Sequence, residues 1–344
     1  MTFYPRVLRP LLFRLEPERA HALTLRVLQL AGAVPGALVL LRAIYRAPDR
    51  PVRIFGLNFS NPIGLAAGYD KDGLAVGGLA CLGFGHLEVG TVTPEPQAGN
   101  PRPRVFRLPS DQALINRMGF PNDGAEALLE GLRRHVRRDF ILGVNIGKGM
   151  ATPLEGAADD YLHLLDMFYD SADYLAVNVS SPNTIGLRRL QAREALNSLL
   201  RSLADARNAR IESGSLRKPL LVKLAPDLNT AELDDALDAI TGNGFDGVIA
   251  TNTTVDRAGL RDARRVEGGG LSGAPLRARS TAMVRDIQRM TSGRLPIIAT
   301  GGVFTAADVS EKLDAGAALV QLYTGLVYRG PGLVKSILVS LASG

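Results

Sequence analysis

The sequence predicts an α/β fold, a closed (β/α)8 barrel (TIM barrel) that follows an N-terminal helical extension. Three observations lead to this prediction: eight short apolar runs follow residue 51, their ends are rich in Gly or Asn, and stretches with helical periodicity lie between most of them. Strands that alternate with helices pair in parallel, and eight such units in one chain fit a closed barrel. An open doubly wound sheet is the alternative, but it would want a GxGxxG turn after the first strand, which is absent.

The predicted elements divide the chain into a helical extension at residues 1–46 and a barrel domain at residues 51–344. The predicted strands are Pro62–Ala67, His86–Val89, Ile141–Ile146, Tyr174–Val179, Leu220–Leu224, Gly247–Ala250, Ile297–Thr300 and Leu319–Leu322. The clearest predicted helices are Glu194–Asn208, Thr230–Thr241 and Thr281–Met290. The longest interval, between Val89 and Ile141, is rich in Pro and Arg and predicts an inserted loop or small hairpin over the barrel mouth.

The composition narrows the possible functions. The single cysteine, Cys81, excludes an internal disulfide, and its small-residue surroundings predict a buried, inert thiol. Four histidines and one cysteine show no CxxC or HExxH spacing, so no metal site is predicted. The net charge of +6 could suit nucleic acid or an anionic membrane surface. The bias is concentrated at one end, since residues 1–46 hold seven arginines against two acids.

The N-terminal extension contains no predicted membrane-spanning helix. Its longest uncharged run, at 27–41, has 15 residues and is broken by Gly and Pro, whereas a spanning helix needs about 20 apolar residues. A helix is predicted to begin at Pro17, with Glu18 in its first turn. Its apolar stripe consists of Ala20, Leu23, Val27, Leu30 and Ala31. A second, shorter stripe consists of Leu38, Leu41 and Ile44.

Two interpretations of this extension stay open on the residues alone. A helical cap would bury the stripe on the main domain. An interfacial helix pair would instead lie on a membrane, with arginines near lipid headgroups and leucines inserted. The residues by themselves favour the cap.

Polar groups gather at the predicted carboxyl ends of the strands, where the active site of a barrel forms. The ends hold Ala67-Gly68-Tyr69-Asp70-Lys71, Gly90-Thr91, Asn145-Ile146-Gly147-Lys148, Asn178 through Asn183, Lys223, Thr251-Asn252-Thr253, Gly301-Gly302 and Tyr323-Thr324-Gly325. The segment 178–184 could by itself be an ordinary turn. A ring with at least four asparagines and two lysines is harder to explain that way, because burying such groups unpaired is unfavourable. We therefore predict a polar ligand at this ring.

The last two strand ends predict one part of that ligand. The glycine-rich segments 299–303 and 322–325 follow strands seven and eight, where the backbone N–H groups of many barrels hold a phosphate. The segment 270–273 could add a third contact of this kind.

Seven segments of the chain carry a recognisable set of motifs. They are Asn61 through Gly73, Gly90-Thr91-Val92-Thr93-Pro94, Asn116-Arg117-Met118-Gly119-Phe120, Asn178 through Thr184, Lys223-Leu224-Ala225-Pro226-Asp227, Ala250-Thr251-Asn252-Thr253-Thr254 and Gly269-Gly270-Leu271-Ser272-Gly273. Together these segments resemble dihydroorotate dehydrogenases. The resemblance runs in order from about residue 50 to the C-terminus. The arginine-rich extension is similar to that of the membrane-associated, quinone-reducing class 2 enzymes, which shifts its interpretation from a simple cap to a quinone-site helix pair.

The resemblance implies FMN as cofactor and oxidation of dihydroorotate to orotate, a step of pyrimidine synthesis. Ser181 would be the catalytic base that removes the C5 proton while hydride leaves C6. A free serine is a poor base and needs help, for which Thr184 and a water molecule are candidates, with Phe120 closing the pocket. Class 1 enzymes use a cysteine instead, and Cys81 lies far from the motif in sequence.

The resemblance also implies the binding residues. Substrate would be bound by Lys71, Asn116, Arg117, Met118, Gly119, Phe120, Asn178, Asn183, Asn252 and Thr253. FMN would be bound by Ala67, Gly68, Tyr69, Asp70, Lys71, Thr91, Asn145, Asn178, Lys223, Thr251, Gly273, Gly302, Tyr323 and Thr324. The quinone site would include His21, Arg107 and Tyr323.

Some of these residues have a second interpretation. Lys223 could pair with an acid such as Asp227, His21 could be a plain helix-surface histidine, and Asp70 could cap its loop. Tyr69 departs from the apolar residue expected there and would add a hydroxyl near the flavin.

The implied partners are dihydroorotate or orotate, a membrane quinone and an anionic membrane surface, with no nucleic acid. The implied location is the cytoplasmic side of the cell membrane, peripherally bound, and the expected state is a monomer. An FMN-dependent tRNA dihydrouridine synthase is the other enzyme considered, but it would want a catalytic cysteine and an appended RNA-binding domain. A lipid-binding barrel that had lost catalysis would be expected to lack polar residues at the strand ends, whereas the sequence keeps them.

Overall fold

The computed structural model describes residues 3–133 and 139–343 and contains a closed barrel of eight parallel strands. In chain order the strands of the molecule are β1 (Val52–Ile54), β2 (Leu57–Phe59), β3 (Ile63–Leu65), β4 (His86–Val92), β5 (Val105–Leu108), β6 (Ala113–Asn116), β7 (Ile141–Ile146), β8 (Tyr174–Asn178), β9 (Leu220–Leu224), β10 (Gly247–Ala250), β11 (Gly270–Gly273), β12 (Ile297–Thr300) and β13 (Leu319–Leu322). The barrel runs β3-β4-β7-β8-β9-β10-β12-β13 and closes from β13 to β3. The predicted barrel is therefore confirmed, and an open doubly wound sheet is excluded.

The eight predicted strands all occur in the barrel, and two of their boundaries move noticeably. The first strand is shorter than predicted, since β3 covers only Ile63–Leu65. The second is longer, because the ladder between β4 and β7 continues to Val92 past an irregularity after Gly90.

Helices surround the barrel and precede it. They are α1 (Arg9–Leu12), α2 (Pro17–Ala33), α3 (Ala37–Tyr45), α4 (Val76–Ala80), α5 (Ala125–Arg133), α6 (Ala157–Phe168), α7 (Arg193–Glu212), α8 (Thr230–Gly242), α9 (Arg277–Met290), α10 (Ala306–Asp314), α11 (Thr324–Arg329) and α12 (Leu333–Ser343). A π-helical turn covers Tyr4–Leu8, and short 3-10 helices cover Pro109–Asp111, Leu187–Gln191, Ala263–Val266 and Ala274–Leu276. The predicted helices correspond to α7, α8 and α9. Local sequence fixes some helix starts, as in the capping box of Asn229 and Glu232 at α8.

Two smaller sheets cover the ends of the barrel. The hairpin predicted between Val89 and Ile141 is confirmed as β5 and β6, and β11 joins it as a third antiparallel strand. At the opposite end, the hairpin of β1 and β2 packs its apolar side chains under the interior residues of the barrel. The apolar runs of the sequence predict neither the third strand nor this second hairpin.

The N-terminal extension packs only part of its apolar surface on the barrel. Helix α2 begins at Pro17 as predicted, and its buried residues are Ala20 and Leu25. It approaches α4 so closely that a Cβ on Gly78 would lie 2.6 Å from the carbonyl oxygen of Leu28. The close approach turns Leu25 and Leu28 toward the barrel. Of the predicted stripe, Ala20 is buried and Ala31 half-buried, whereas the other three members point to solvent.

The cap interpretation of the predicted stripe is therefore wrong, because three of its five members stay exposed. Leu23 is 47% exposed, Val27 59% and Leu30 55%. Within the described residues no single helix is long and apolar enough to cross a bilayer. Helices α2 and α3 reach that length and composition only as a pair bent by 118°.

Candidate active site

A cavity opens at the carboxyl ends of the barrel strands, beneath the β5–β6–β11 sheet. We call it the first cavity. It brings together most of the predicted substrate and cofactor residues, although they are spread over more than 250 positions of the chain. The predicted residues that line it are Ala67, Gly68, Lys71, Thr91, Asn116, Met118, Gly119, Phe120, Asn178, Ser181, Asn183, Lys223, Thr251, Asn252, Thr253, Gly273, Gly302, Tyr323 and Thr324.

Four asparagines form the polar wall of the first cavity in two pairs. The Asn183 amide donates to Asn116 Oδ1 at 3.0 Å, and the Asn252 amide donates to Asn178 Oδ1 at 3.3 Å. Each amide keeps further donor or acceptor capacity. The wall can therefore pair with a flat ligand that carries both carbonyl and N–H groups.

Lys71 supplies a cation to this wall. Its Nζ donates to the carbonyl oxygen of Gly68 at 3.0 Å and contacts Met118 Sδ at 3.7 Å. Desolvation lowers the pKa of Lys71, while the neighbouring carboxylate of Asp72 opposes that effect. The position suits recognition of an anionic group such as a carboxylate.

Ser181 lies on the loop after β8 and is 4% exposed. Its Oγ accepts a hydrogen bond from the backbone N–H of Asn183 at 3.2 Å, which leaves its own proton available. Three residues further on, the buried Thr184 hydroxyl has no hydrogen-bond partner among the described residues. Phe120 lines the same cavity and has a left-handed backbone with φ of 52°. Among the described residues, the loop after β8 thus carries a Ser181 hydroxyl that only accepts and, three residues on, a buried Thr184 hydroxyl without a partner.

Lys223 lies across the first cavity at the end of β9 and is 5% exposed. Burial lowers the pKa of Lys223, and the carboxylate of Glu88 raises it. The alternative partner Asp227 is instead occupied by Arg188 at 2.8 Å and Arg279 at 3.4 Å. Lys223 lines the first cavity, and among the described residues the ion pairs of Asp227 with Arg188 and Arg279 take the place of the pair expected with Lys223.

The far end of the first cavity is lined by backbone. Gly302 follows β12 with φ of 74°, and a Cβ there would lie 2.4 Å from the Cα of Arg277. Only glycine fits this close approach. The first turn of α11, which begins at Thr324, has N–H groups without partners inside the helix. Such a backbone wall suits the phosphate of a nucleotide cofactor.

Four predicted binding residues do not line the first cavity. Asn145 is fully buried behind it and accepts from the Thr91 hydroxyl at 2.5 Å. Arg117 turns away to pair with Glu267 at 2.7 Å. The Asp70 carboxylate accepts from the backbone N–H groups of Leu74 and Ala75, which is a capping geometry.

The fourth residue, Tyr69, lines a second cavity between the N-terminal extension and the β5–β6 hairpin. The second cavity also contains the three predicted quinone residues His21, Arg107 and Tyr323. His21 meets the ring of Tyr69 edge-on at 4.9 Å. Tyr323 and Met118 line both cavities, so one layer of side chains separates them.

His21 and Arg107 have specific roles in shaping the second cavity. Desolvation lowers the pKa of His21 to about 4, with a further lowering from the Lys71 ammonium, so the imidazole is neutral near pH 7. Arg107 donates to the carbonyl oxygen of Leu15 at 2.8 Å and lies over the Phe13 ring at 4.6 Å. It therefore ties the segment between α1 and α2 to strand β5.

Sequence reasoning missed several polar residues of the barrel interior. Thr300 and Gln321 line the first cavity, and Glu88 lies below it, fully buried. Gln321 donates to the Glu88 carboxylate at 2.8 Å. A signal was available for Glu88, because a charged residue inside the apolar run His86–Val89 needs a buried partner.

Comparison with known proteins shows the family of the chain. Residues 51–343 match the family model described as dihydroorotate dehydrogenase. The chain is 51% identical over 358 residues to a dihydroorotate dehydrogenase (quinone) of Synechococcus sp. (strain JA-3-3Ab), with 100% of this chain and 93% of the relative covered. It is 50% identical over 332 residues to a protein of the same name from Chromobacterium violaceum, with 96% and 95% covered.

The fold comparison gives the same family. The crystal structure of DHODH from Eimeria tenella in complex with ferulenol superposes with a TM-score of 0.87 at 39% identity, covering 95% of this chain and 91% of that one. The chain belongs to the dihydroorotate dehydrogenase family, as its seven motifs predicted.

Proposed function

We propose that this protein is a quinone-dependent dihydroorotate dehydrogenase. It oxidises (S)-dihydroorotate to orotate in de novo pyrimidine (UMP) biosynthesis and passes the electrons to a quinone. Two observations support the proposal: relatives with this name match over nearly the whole chain, and a polar cavity and a second cavity share the side chains of Tyr323 and Met118.

FMN is the proposed cofactor of the first cavity. The glycine-lined end at Gly302 and Thr324 would hold the phosphate, and Lys223 would lie at the polar edge of the ring system, where a cation stabilises negative charge. Thr91, Thr251 and Gly273 would complete the binding site, with Asn145 acting through Thr91. FMN bound there would supply the hydride acceptor for substrate oxidation and the electron donor for the quinone.

Ser181 is the proposed catalytic base. It would take the proton from C5 of dihydroorotate as the hydride leaves C6, so that the substrate loses two electrons and two hydrogens and a C5=C6 double bond forms. The unpartnered Thr184 hydroxyl and a water molecule would accept the proton onward. Phe120 and the surrounding loop would exclude bulk water from this proton path.

The asparagine wall would bind the substrate ring. Asn116, Asn178, Asn183 and Asn252 offer amide donors and acceptors to the ring carbonyl and N–H groups, and Lys71 offers a cation to the carboxylate. Orotate has the same groups in a flat arrangement, so the same wall would bind the product.

The second cavity is the proposed quinone site. Neutral His21 uses its one N–H toward the backbone of Tyr69, so its other ring nitrogen would accept a hydrogen bond from the reduced quinone. Arg107 lines the same cavity. Tyr323, shared with the first cavity, would lie between the two electron carriers. The Tyr69 hydroxyl belongs to this second site in our proposal, because Tyr69 lines the second cavity.

We further propose that residues 1–46 hold the protein peripherally on the cytoplasmic face of the cell membrane. The exposed Val27 and Leu30 of α2 and Val39 and Leu40 of α3 are large apolar side chains, and Arg26 of the same segment is exposed beside them. This combination is typical of interfacial helices on anionic lipid. Residues 51–344 would form the catalytic part.

Anaerobic titration tests the proposed reaction. Protein reconstituted with FMN should be yellow, and dihydroorotate should bleach the absorbance without oxygen, with one orotate formed per flavin reduced. Addition of a soluble quinone should restore the yellow colour. Protein that holds FMN and is not bleached by dihydroorotate would contradict the proposed substrate. Bleaching without reoxidation by quinone would contradict only the proposed acceptor.

A further inference from the structure

Glu88 is a buried carboxylate that the proposed mechanism does not use. It lies on β4 and is 0% exposed. Its Oε1 accepts from the Asn145 amide at 2.9 Å, and its Oε2 accepts from the Tyr174 hydroxyl at 2.9 Å and the Gln321 amide at 2.8 Å. The three donors are neutral and come from three other strands of the barrel. Burying a carboxylate is unfavourable, so its presence under the active site calls for a reason.

The first chain of hydrogen bonds from Glu88 runs into the substrate wall. Because a carboxylate only accepts, Asn145 must turn its N–H₂ toward Glu88 and its oxygen away. That oxygen accepts from the Asn178 amide at 3.1 Å, so Asn178 in turn directs its own oxygen onward. The Asn178 oxygen accepts from the Asn252 amide at 3.3 Å.

A second chain runs from Glu88 to the opposite wall. Gln321 donates its amide to Glu88, so its Oε1 points away and accepts from the Thr300 hydroxyl at 3.1 Å. Both Gln321 and Thr300 line the first cavity. The two ends of an amide have nearly the same shape, so only the network determines which end is the oxygen. Glu88 differs from the amides and hydroxyls of this network because both of its side-chain oxygens accept hydrogen bonds and neither can donate one.

We propose that Glu88 is a positioning residue that sets the direction of both hydrogen-bond chains and thereby the order of donors and acceptors that the first cavity presents. The inference rests on the proposed function, since the ligands in question are orotate and FMN. A flipped amide would face a ligand carbonyl with its own oxygen and would weaken binding of a flat, amide-rich ring. The same carboxylate raises the pKa of Lys223 against the effect of burial, which supports a role for its charge.

A reciprocal exchange of acid and amide tests this proposal. Glu88→Gln keeps the shape but allows the side chain to donate, so Asn145 is no longer constrained. Asn145→Asp places a second carboxylate opposite Glu88. The double variant Glu88→Gln/Asn145→Asp restores one direction, because the new amide on β4 can donate to the new carboxylate on β7, which still accepts from Thr91 and Asn178.

The measurements are the orotate Kd from the flavin spectrum, the FMN Kd of the apoprotein from flavin fluorescence, and Tm. Each single variant should weaken orotate binding by about 10- to 100-fold, the loss expected for one or two mismatched hydrogen bonds. The double variant should recover to within about threefold of the wild type. Tyr174→Phe removes a donor to Oε2 and a 3.4 Å acceptor of the Gln321 amide. Because Gln321 keeps its bond to Glu88, Tm should fall while the orotate Kd changes less than about threefold.

The outcomes separate this inference from the proposed function. Wild-type protein that binds neither FMN nor orotate would contradict the function itself. Orotate binding by Glu88→Gln that equals that of the wild type would overturn the inference. A double variant whose orotate Kd rises by the product of the two single-variant increases would overturn it as well. The double variant decides even where a single variant does not fold, because the inference requires it to fold and to bind orotate.

Discussion

The barrel and the N-terminal extension differ in where they keep their large apolar side chains. Of the 19 such side chains that are exposed among the described residues, 12 lie between Phe3 and Ile44. The barrel strands, in contrast, bury their side chains almost completely, as in β8 and β9, where every residue is buried. The barrel is therefore stabilised by its own core, whereas the extension presents a surface that suits an apolar partner.

The same comparison separates the two half-reactions in our proposal. The first cavity is walled by buried polar residues of the barrel, and the second cavity exists only because α1 and α2 cover one side of the β5–β6 hairpin. Dihydroorotate oxidation should thus depend on the barrel, and quinone reduction on the extension as well. Variants in one region should affect one half-reaction and leave the other unchanged.

The largest effect is expected in the barrel. Ser181→Ala removes the proposed base, and flavin reduction by dihydroorotate should slow by about 10²- to 10⁴-fold, the usual contribution of general base catalysis. Stopped-flow absorbance under anaerobic conditions measures this rate, while the FMN Kd should stay within about threefold. Ser198→Ala on α7, an exposed serine, serves as the matched control. A Ser181→Ala rate equal to that of the control would remove Ser181 from the role of base.

The next largest effect is expected in the extension. Val27→Glu/Leu30→Glu places two carboxylates on the exposed face of α2, where the native side chains are 59% and 55% exposed. Partitioning onto vesicles that contain anionic lipid should fall by about 100-fold, since burial of two such side chains is lost. Cosedimentation with vesicles gives the partition coefficient.

A matched pair in the barrel provides the control for this membrane prediction. Leu216 and Val266 are 81% and 84% exposed, so Val266→Glu/Leu216→Glu makes the same chemical change on the other region. The control should partition like the wild type, and both variants should keep normal flavin reduction. Equal losses in the two variants would mean that net charge alone governs binding and that α2 has no special role.

Much of the barrel could be predicted from the sequence, because its signal is local. Each strand is a short apolar run with a polar end, and parallel pairing follows from the alternation with helices. The third strand of the covering sheet could not be predicted in this way. Strand β11 pairs with β6 across more than 150 positions, and its residues Gly270–Gly273 form no apolar run.

The sequence predicts which residues follow strand ends and so reach the site. It does not predict the direction in which each of their side chains points. Lys71, Ser181 and Asn252 follow strand ends and meet at the first cavity. Tyr69 stands next to Gly68 in sequence, yet its ring lines the second cavity. Which of two adjacent cavities a ring enters is decided by the packing of α2 against it, which a single sequence does not reveal.

A smaller effect is expected at the junction of the two regions. Arg107→Gln removes a charged hydrogen bond to Leu15 and the contact with the Phe13 ring. The KM for a soluble quinone should rise by about 10- to 100-fold, because such charged hydrogen bonds contribute about 1.5–3 kcal/mol. Flavin reduction by dihydroorotate should not change. Arg193→Gln, which removes an exposed pair with Asp235, is the control. An Arg107→Gln variant slowed equally in both half-reactions would contradict the division.

The smallest effect concerns acid stability, which should depend on a buried histidine of the barrel. His86 is 0% exposed and meets the ring of Phe59 edge-on at 5.3 Å, and among the described residues neither of its ring nitrogens has a hydrogen-bond partner. Burial lowers the pKa of His86 to about 3, below its ordinary value of 6.5. The unfolded chain therefore binds a proton that the folded chain does not as pH falls from 6.5 toward 3, and stability is lost over that window.

His86→Leu removes this proton linkage from the barrel. Between pH 7 and pH 5 the wild type should lose about 2 kcal/mol of unfolding free energy through His86, since each pH unit below 6.5 contributes about 1.4 kcal/mol. The unfolding free energy of the variant should fall by about 2 kcal/mol less than that of the wild type. Its Tm should therefore fall by a few degrees less between pH 7 and pH 5. Thermal unfolding followed by circular dichroism at the two pH values measures it, with the exposed His163→Leu as control. Parallel pH dependence in His86→Leu and the wild type would show that this histidine is not a source of acid lability, and that the barrel core tolerates a proton that its burial should exclude.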